Sequence, residues 1–120
     1  MKIASISEDK NIEKRVSITP EIAKKYLSNG FEVCLSKNYG DHLGFSDQEY
    51  ESLGVKLAEN NKEVIKGSDI VIQLGLPTDD NLSFFQENQI LIGVLNPYLN
   101  KNKLDELKKK NKYVLIRIIT

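Results

Sequence analysis

Cysteine and histidine are nearly absent from this chain. Cys34 is the only cysteine and His42 the only histidine among 120 residues. A single thiol excludes an internal disulfide framework and a cysteine-rich zinc site, so no metal-binding residues are expected. Cys34 stands between Val33 and Leu35, where a buried, inert thiol is expected. A lone histidine in a polar loop, with no serine or cysteine nucleophile pattern beside it, reads as a surface residue before it reads as a catalyst. An excess of either charge is also missing. Lys plus Arg and Asp plus Glu each number 17, for a net charge of zero. A nucleic-acid partner, which calls for a basic surface, is therefore not expected. No apolar run approaches the length of a membrane span, and no signal-type apolar region opens the chain. A cytoplasmic, soluble domain is expected, one still able to dock on a separate membrane subunit. Finally, no Gly-x-Gly-x-x-Gly follows a strand and no Walker pattern occurs.

What is present is a regular alternation of strand and helix patterns. Lys2 to Ile6 reads as a first strand. Thr19 is a good N-cap and Pro20 a good first helical residue, and Ile22, Ala23, Tyr26 and Leu27 recur at helical spacing up to a C-cap glycine at Gly30. Phe31 to Ser36 is a second strand, followed by a loop through Phe45. Ser46 caps a short helix through Leu53, with Asp47 and Glu49 where the helix dipole favours acids. Val55 to Ala58 reads as a strand, Asn61 to Lys66 as a short helix, and Asp69 to Leu74 as a central strand covered on both faces. A short helix over Asp79 to Phe85, a strand over Gln89 to Leu95, a helix from Asn100 to Lys110 and a strand over Tyr113 to Ile119 complete the pattern. The length suits one domain. The fold class expected is α/β: a three-layer sandwich with a mostly parallel sheet, Rossmann-like or flavodoxin-like.

The segment from Glu8 to Pro20 is the first strand-to-helix loop, and such loops lie where open α/β sheets bind ligands. Arg15 offers a planar fork of donors, with Glu8 and Glu13 close by in sequence. Two readings stand: an ion pair with Glu8 or Glu13 that fixes the loop, or a clamp for a carboxylate or phosphate. If the sheet order brings the first, fourth and fifth strands together, Arg15, Gly75 and Asn96 gather at one edge as cleft candidates.

The same segment carries a resemblance. Glu8, Glu13, Arg15, Val16, Thr19 and Pro20, followed by Leu27 and Gly30, resemble the N-terminal signature of the alanine dehydrogenase and nicotinamide nucleotide transhydrogenase family. The string Gly40-x-x-x-x-Phe45-Ser46-Asp47-x-x-Tyr50-x-x-x-Gly54 continues it. Ala4, Ser5 and Ile6 depart from the family's usual Gly-aliphatic-Pro. The resemblance covers the chain to about Asn111 but only the opening portion of a family protein. It implies an N-terminal α/β domain, with the NAD-binding Rossmann domain outside this chain.

In alanine dehydrogenases, the resemblance implies, an arginine at the Arg15 place, a lysine and a histidine serve the keto acid. The lysine place falls on Gly75 and the histidine place on Asn96. Without a cation and a proton carrier there, keto-acid chemistry is poorly served. The expectation is therefore the N-terminal portion of a transhydrogenase α subunit, which in the full enzyme passes hydride between NADH and NADP with proton translocation. Catalytic and cofactor-binding residues are not expected in this chain, with NAD belonging to the parent enzyme. Expected partners are the NAD-binding domain and the membrane and NADP-binding components, with a homodimer left open. The full complex would be peripheral on the inner membrane. An alanine-type amino acid dehydrogenase and a stand-alone non-catalytic binding module are the alternatives.

Overall fold

The computed structural model describes residues 1–11 and 13–93, and the backbone of 114–117. Six strands form one sheet: β1 (Lys2–Ser5), β2 (Glu32–Ser36), β3 (Lys56–Ala58), β4 (Ile70–Gln73), β5 (Ile90–Gly93) and β6 (Val114–Arg117). Their order is β3-β2-β1-β4-β5-β6, and each neighbouring pair is parallel. This is the doubly wound order in which the chain winds outward from β1, then returns to β1's other side.

The helices are short: α1 (Pro20–Ser28), α2 (Asp47–Leu53), α3 (Asn61–Lys66) and α4 (Asp79–Leu82). None would persist alone in water at such lengths. Packing holds them. Residues alternate along each strand, so Ile3, Val33 and Leu35 meet Ala23 of α1 and Tyr50 of α2 on one face. Ala4, Cys34 and Val71 meet Val64 and Ile65 of α3 and Leu82 of α4 on the other. Each fully buried aliphatic side chain is worth about 1.5–3 kcal/mol, more than an exposed helix of six residues gains from its own hydrogen bonds. The three-layer arrangement expected from the sequence is the one observed.

Local signals set the ends of the elements. Thr19 Oγ1 accepts the Ile22 N–H at 3.3 Å, and Ser46 Oγ accepts that of Glu49 at 3.1 Å. Asn29 caps α1, and Gly30 follows it with φ at +89° rather than capping directly. The last strands of the expected pattern are shorter than their apolar runs. The segment after β4 is helical only through Leu82, beyond which Phe84 and Phe85 make turn bonds to Asn81 and Leu82. Asn96, the Asn96-Pro97 breaker and the helix expected from Asn100 to Lys110 lie outside the described residues.

Candidate functional site at the carboxyl edge of the sheet

The strand order reverses between β1 and β4, and this switch point is where doubly wound sheets open a crevice. The loop from β1 to α1 runs over it. Its backbone and side chains are tied to the exits of two neighbouring strands, one on each side of β1.

On the β2 side, the Ser7 N–H donates to Ser36 Oγ at 2.8 Å, and Lys10 Nζ to the Asn38 carbonyl at 3.0 Å. Asn38 itself has φ at +63°, and its N–H donates to the Asp47 carboxylate at 2.9 Å. Farther along, the N–H groups of Ser17 and Ile18 donate to the Tyr39 hydroxyl at 3.1 and 3.2 Å. Tyr50 Oη donates to the Ile18 carbonyl at 2.8 Å. The two tyrosine rings meet edge to face, 6.1 Å apart. Both are fully buried, and burial pushes the Tyr39 phenol up to about 12. They act as neutral hydrogen-bonding posts at ordinary pH.

On the β4 side, Glu8 reaches across the switch point. Its Oε2 accepts from the Leu74 N–H at 2.9 Å and from Gln73 Nε2 at 2.9 Å. Its Oε1 accepts from the Gly75 N–H at 3.0 Å. Gln73 is buried and is fixed from the other side: its Oε1 accepts from the Ile6 N–H at 2.7 Å, and its Nε2 donates to the Ile6 carbonyl at 3.0 Å. Burial holds the Glu8 carboxyl above its ordinary value, against the lowering effect of the Leu74 and Gly75 amides, and the Glu13 charge adds to the rise.

Arg15 is placed differently from Glu8. Its guanidinium makes a two-pronged contact with Glu13, Nε to Oε1 at 3.0 Å and Nη2 to Oε2 at 3.1 Å. Of the two partners offered by the sequence, Glu13 is the one engaged, because Glu8 is committed to backbone amides. The Arg15 side chain is 74% exposed. The pairing holds the Glu13 carboxyl below its usual range. Gly75 enters the site through its backbone N–H. His42 is exposed, its Nε2 2.7 Å from the Lys14 carbonyl, which pins the loop rather than opening a catalytic site. Cys34 is a free, buried thiol that burial pushes up.

Residue-by-residue reading of the sequence passed over Ser5, Gln73 and Tyr39. All three are fully or nearly fully buried polar groups at strand exits. Ser5 and Gln73 were visible only as polar letters closing otherwise apolar runs.

Comparison with known proteins agrees with this architecture. The family model for the alanine dehydrogenase/PNT N-terminal domain matches residues 5–116. The first of the separately encoded pieces of NAD(P) transhydrogenase subunit alpha from Rickettsia prowazekii is 36% identical over 115 residues, 92% of this chain and 30% of the relative. Alanine dehydrogenase 1 of Staphylococcus aureus is 32% identical over 109 residues, 91% of this chain and 29% of the relative. The chain thus spans under a third of the length of these relatives. Two solved structures share the fold. A transhydrogenase from Sinorhizobium meliloti has TM-score 0.84 and 24% identity, over 96% of this chain and 34% of that one. An L-alanine dehydrogenase has TM-score 0.85 and 23% identity, over 98% of this chain and 32% of that one. With a switch-point loop, a sheet order and a sequence match that agree over nearly its whole length, the chain belongs to the family of alanine dehydrogenase/PNT N-terminal domains.

Proposed function

We propose that the chain is the N-terminal domain of the α subunit of a proton-translocating NAD(P) transhydrogenase. Its role there is to flank the cleft in which a separate Rossmann domain holds NAD. The carrying observation is at the end of β4: Gly75 contributes a backbone N–H, already taken by Glu8, where an alanine dehydrogenase would present a lysine side chain. The neighbouring arginine is spent on Glu13. A keto acid's carboxylate and developing oxyanion need cations and a proton carrier at this edge. The described groups supply self-satisfied contacts instead. The hydride chemistry then belongs to the cofactor and to the other domains of the enzyme, and the chain alone is inactive. The complex would sit on the cytoplasmic side of the inner membrane, partnered by membrane and NADP-binding components. Among the described residues, no helix is long and apolar enough to cross a membrane.

The test is enzymatic. The parent protein, with its NAD-binding domain and partner subunits, should transfer hydride between NADH and an NADP analogue and should not oxidise alanine. Gly75→Lys combined with Asn96→His should move it toward amino acid oxidation. Substantial alanine oxidation by the unaltered parent overturns the proposal.

A further inference from the structure

Three donors converge on one point of the switch crevice: the consecutive N–H groups of Leu74 and Gly75, and Gln73 Nε2. Consecutive backbone amides turned toward one spot form an anion-binding concavity. The donors are held independently of what they bind. Gln73 is 2% exposed and is locked by both polar groups of Ile6, and Ser5 Oγ lies 3.0 Å from its Oε1. The geometry suits a planar, two-oxygen head, one oxygen taking two donors and the other taking one. A carboxylate of the chain's own, on a surface loop, occupies it.

We propose that the Gln73–Leu74–Gly75 cradle is a binding site for small monocarboxylates, which the chain keeps closed by using Glu8 as a tethered stand-in for the ligand. Tethering makes the internal carboxylate present at high effective concentration, so a free acid must displace it. The donors remain in place when Glu8 is removed, since none depends on Glu8 for its position. The nearest other acid, Glu13, is neutralised by Arg15, so its charge does not bar an incoming anion. This assignment does not draw on the transhydrogenase reading, and it would survive that reading's failure.

The experiment uses Glu8→Ala in the 120-residue chain, with sodium acetate or formate titrated against sodium chloride at equal ionic strength. The variant should melt below the wild type. Acetate and formate, but not chloride, should raise its melting temperature by several degrees, as expected for a ligand that binds only the folded state. The Leu74 and Gly75 amide proton resonances should move downfield saturably toward their wild-type positions. The wild type should respond to neither salt. A folded variant that responds alike to acetate and chloride, or whose two amides stay still, overturns the proposal. If the variant is unfolded in plain buffer, acetate should restore the wild-type amide spectrum where chloride does not; equal failure in both salts overturns it as well.

Discussion

The Tyr39 hydroxyl lies 2.8 Å from Ser5 Oγ, joining the exit of β2 to the end of β1. The direction of the proton follows from counting. The Tyr39 oxygen already accepts two backbone N–H groups, from Ser17 and Ile18. Its own proton therefore goes to Ser5, whose proton in turn goes to the Ile72 carbonyl at 2.7 Å or to Gln73 Oε1 at 3.0 Å. One phenol thereby satisfies the returning loop and one strand end together.

Tyr39→Phe should accordingly cost more than the loss of one hydrogen bond. Two buried backbone donors and the Ser5 oxygen lose a partner, and an unsatisfied buried group costs about 1–3 kcal/mol. Tyr50→Phe removes only the bond to the Ile18 carbonyl and should cost about 1 kcal/mol. Urea denaturation of both variants measures the difference; a Tyr39→Phe loss no larger than that of Tyr50→Phe contradicts this account of the network.

Gly40 is held to glycine by space. A Cβ added there would lie 2.8 Å from the Phe45 Cβ and 3.1 Å from the Tyr50 hydroxyl. Gly40→Ala should push Phe45 outward and strain the Tyr50 bond, at about 1–3 kcal/mol, the usual range for overpacking. Thermal melting checks the size, and a melting temperature equal to the wild type's would show that the loop yields freely.

Glu8 makes stability depend on pH with a definite sign. Its carboxyl lies above the ordinary value of 4.5 in the folded protein, so the folded state binds the proton more tightly than the unfolded chain does. The associated stability is fully present below 4.5 and is lost as pH rises through the folded value. Glu13 runs the other way, its lowered carboxyl giving stability that is lost in acid. It is common to wild type and variant, so it cancels in a comparison with Glu8→Gln. The stability difference, wild type minus Glu8→Gln, should fall with rising pH across this window and then level off. A difference that grows with pH would reverse the sign assigned here. Carbon NMR of the Glu8 carboxyl gives the midpoint directly.

The isolated chain should not bind NADH at micromolar concentrations. A pyrophosphate needs approachable N–H groups at a helix N-terminus, usually behind a glycine-rich turn. Here the loop before α1 has no glycine, Thr19 already caps the first turn of α1, and Glu8 fills the switch-point amides. Calorimetry with NADH is decisive: saturable micromolar binding would place a cofactor site in this domain.

Much of this protein was legible in its sequence because the deciding interactions are short. Thr19 and Ser46 cap helices three residues away, and the alternating apolar runs identify strands buried on both faces whatever their neighbours. The family signature rested on the same local letters. The partners of Arg15 and Glu8 were not legible in this way. Both acids stood within reach of Arg15, and only the tertiary structure sends Glu8 to amides 66 and 67 residues away and leaves Glu13 to the arginine. Local pattern does not say which side of β1 the returning β4 takes. That choice, made by packing two faces of one sheet, is what brings Ser5, Gln73, Tyr39 and Glu8 to one edge. The loop could therefore be named from the sequence, but the crevice it closes exists only once the strands are in order.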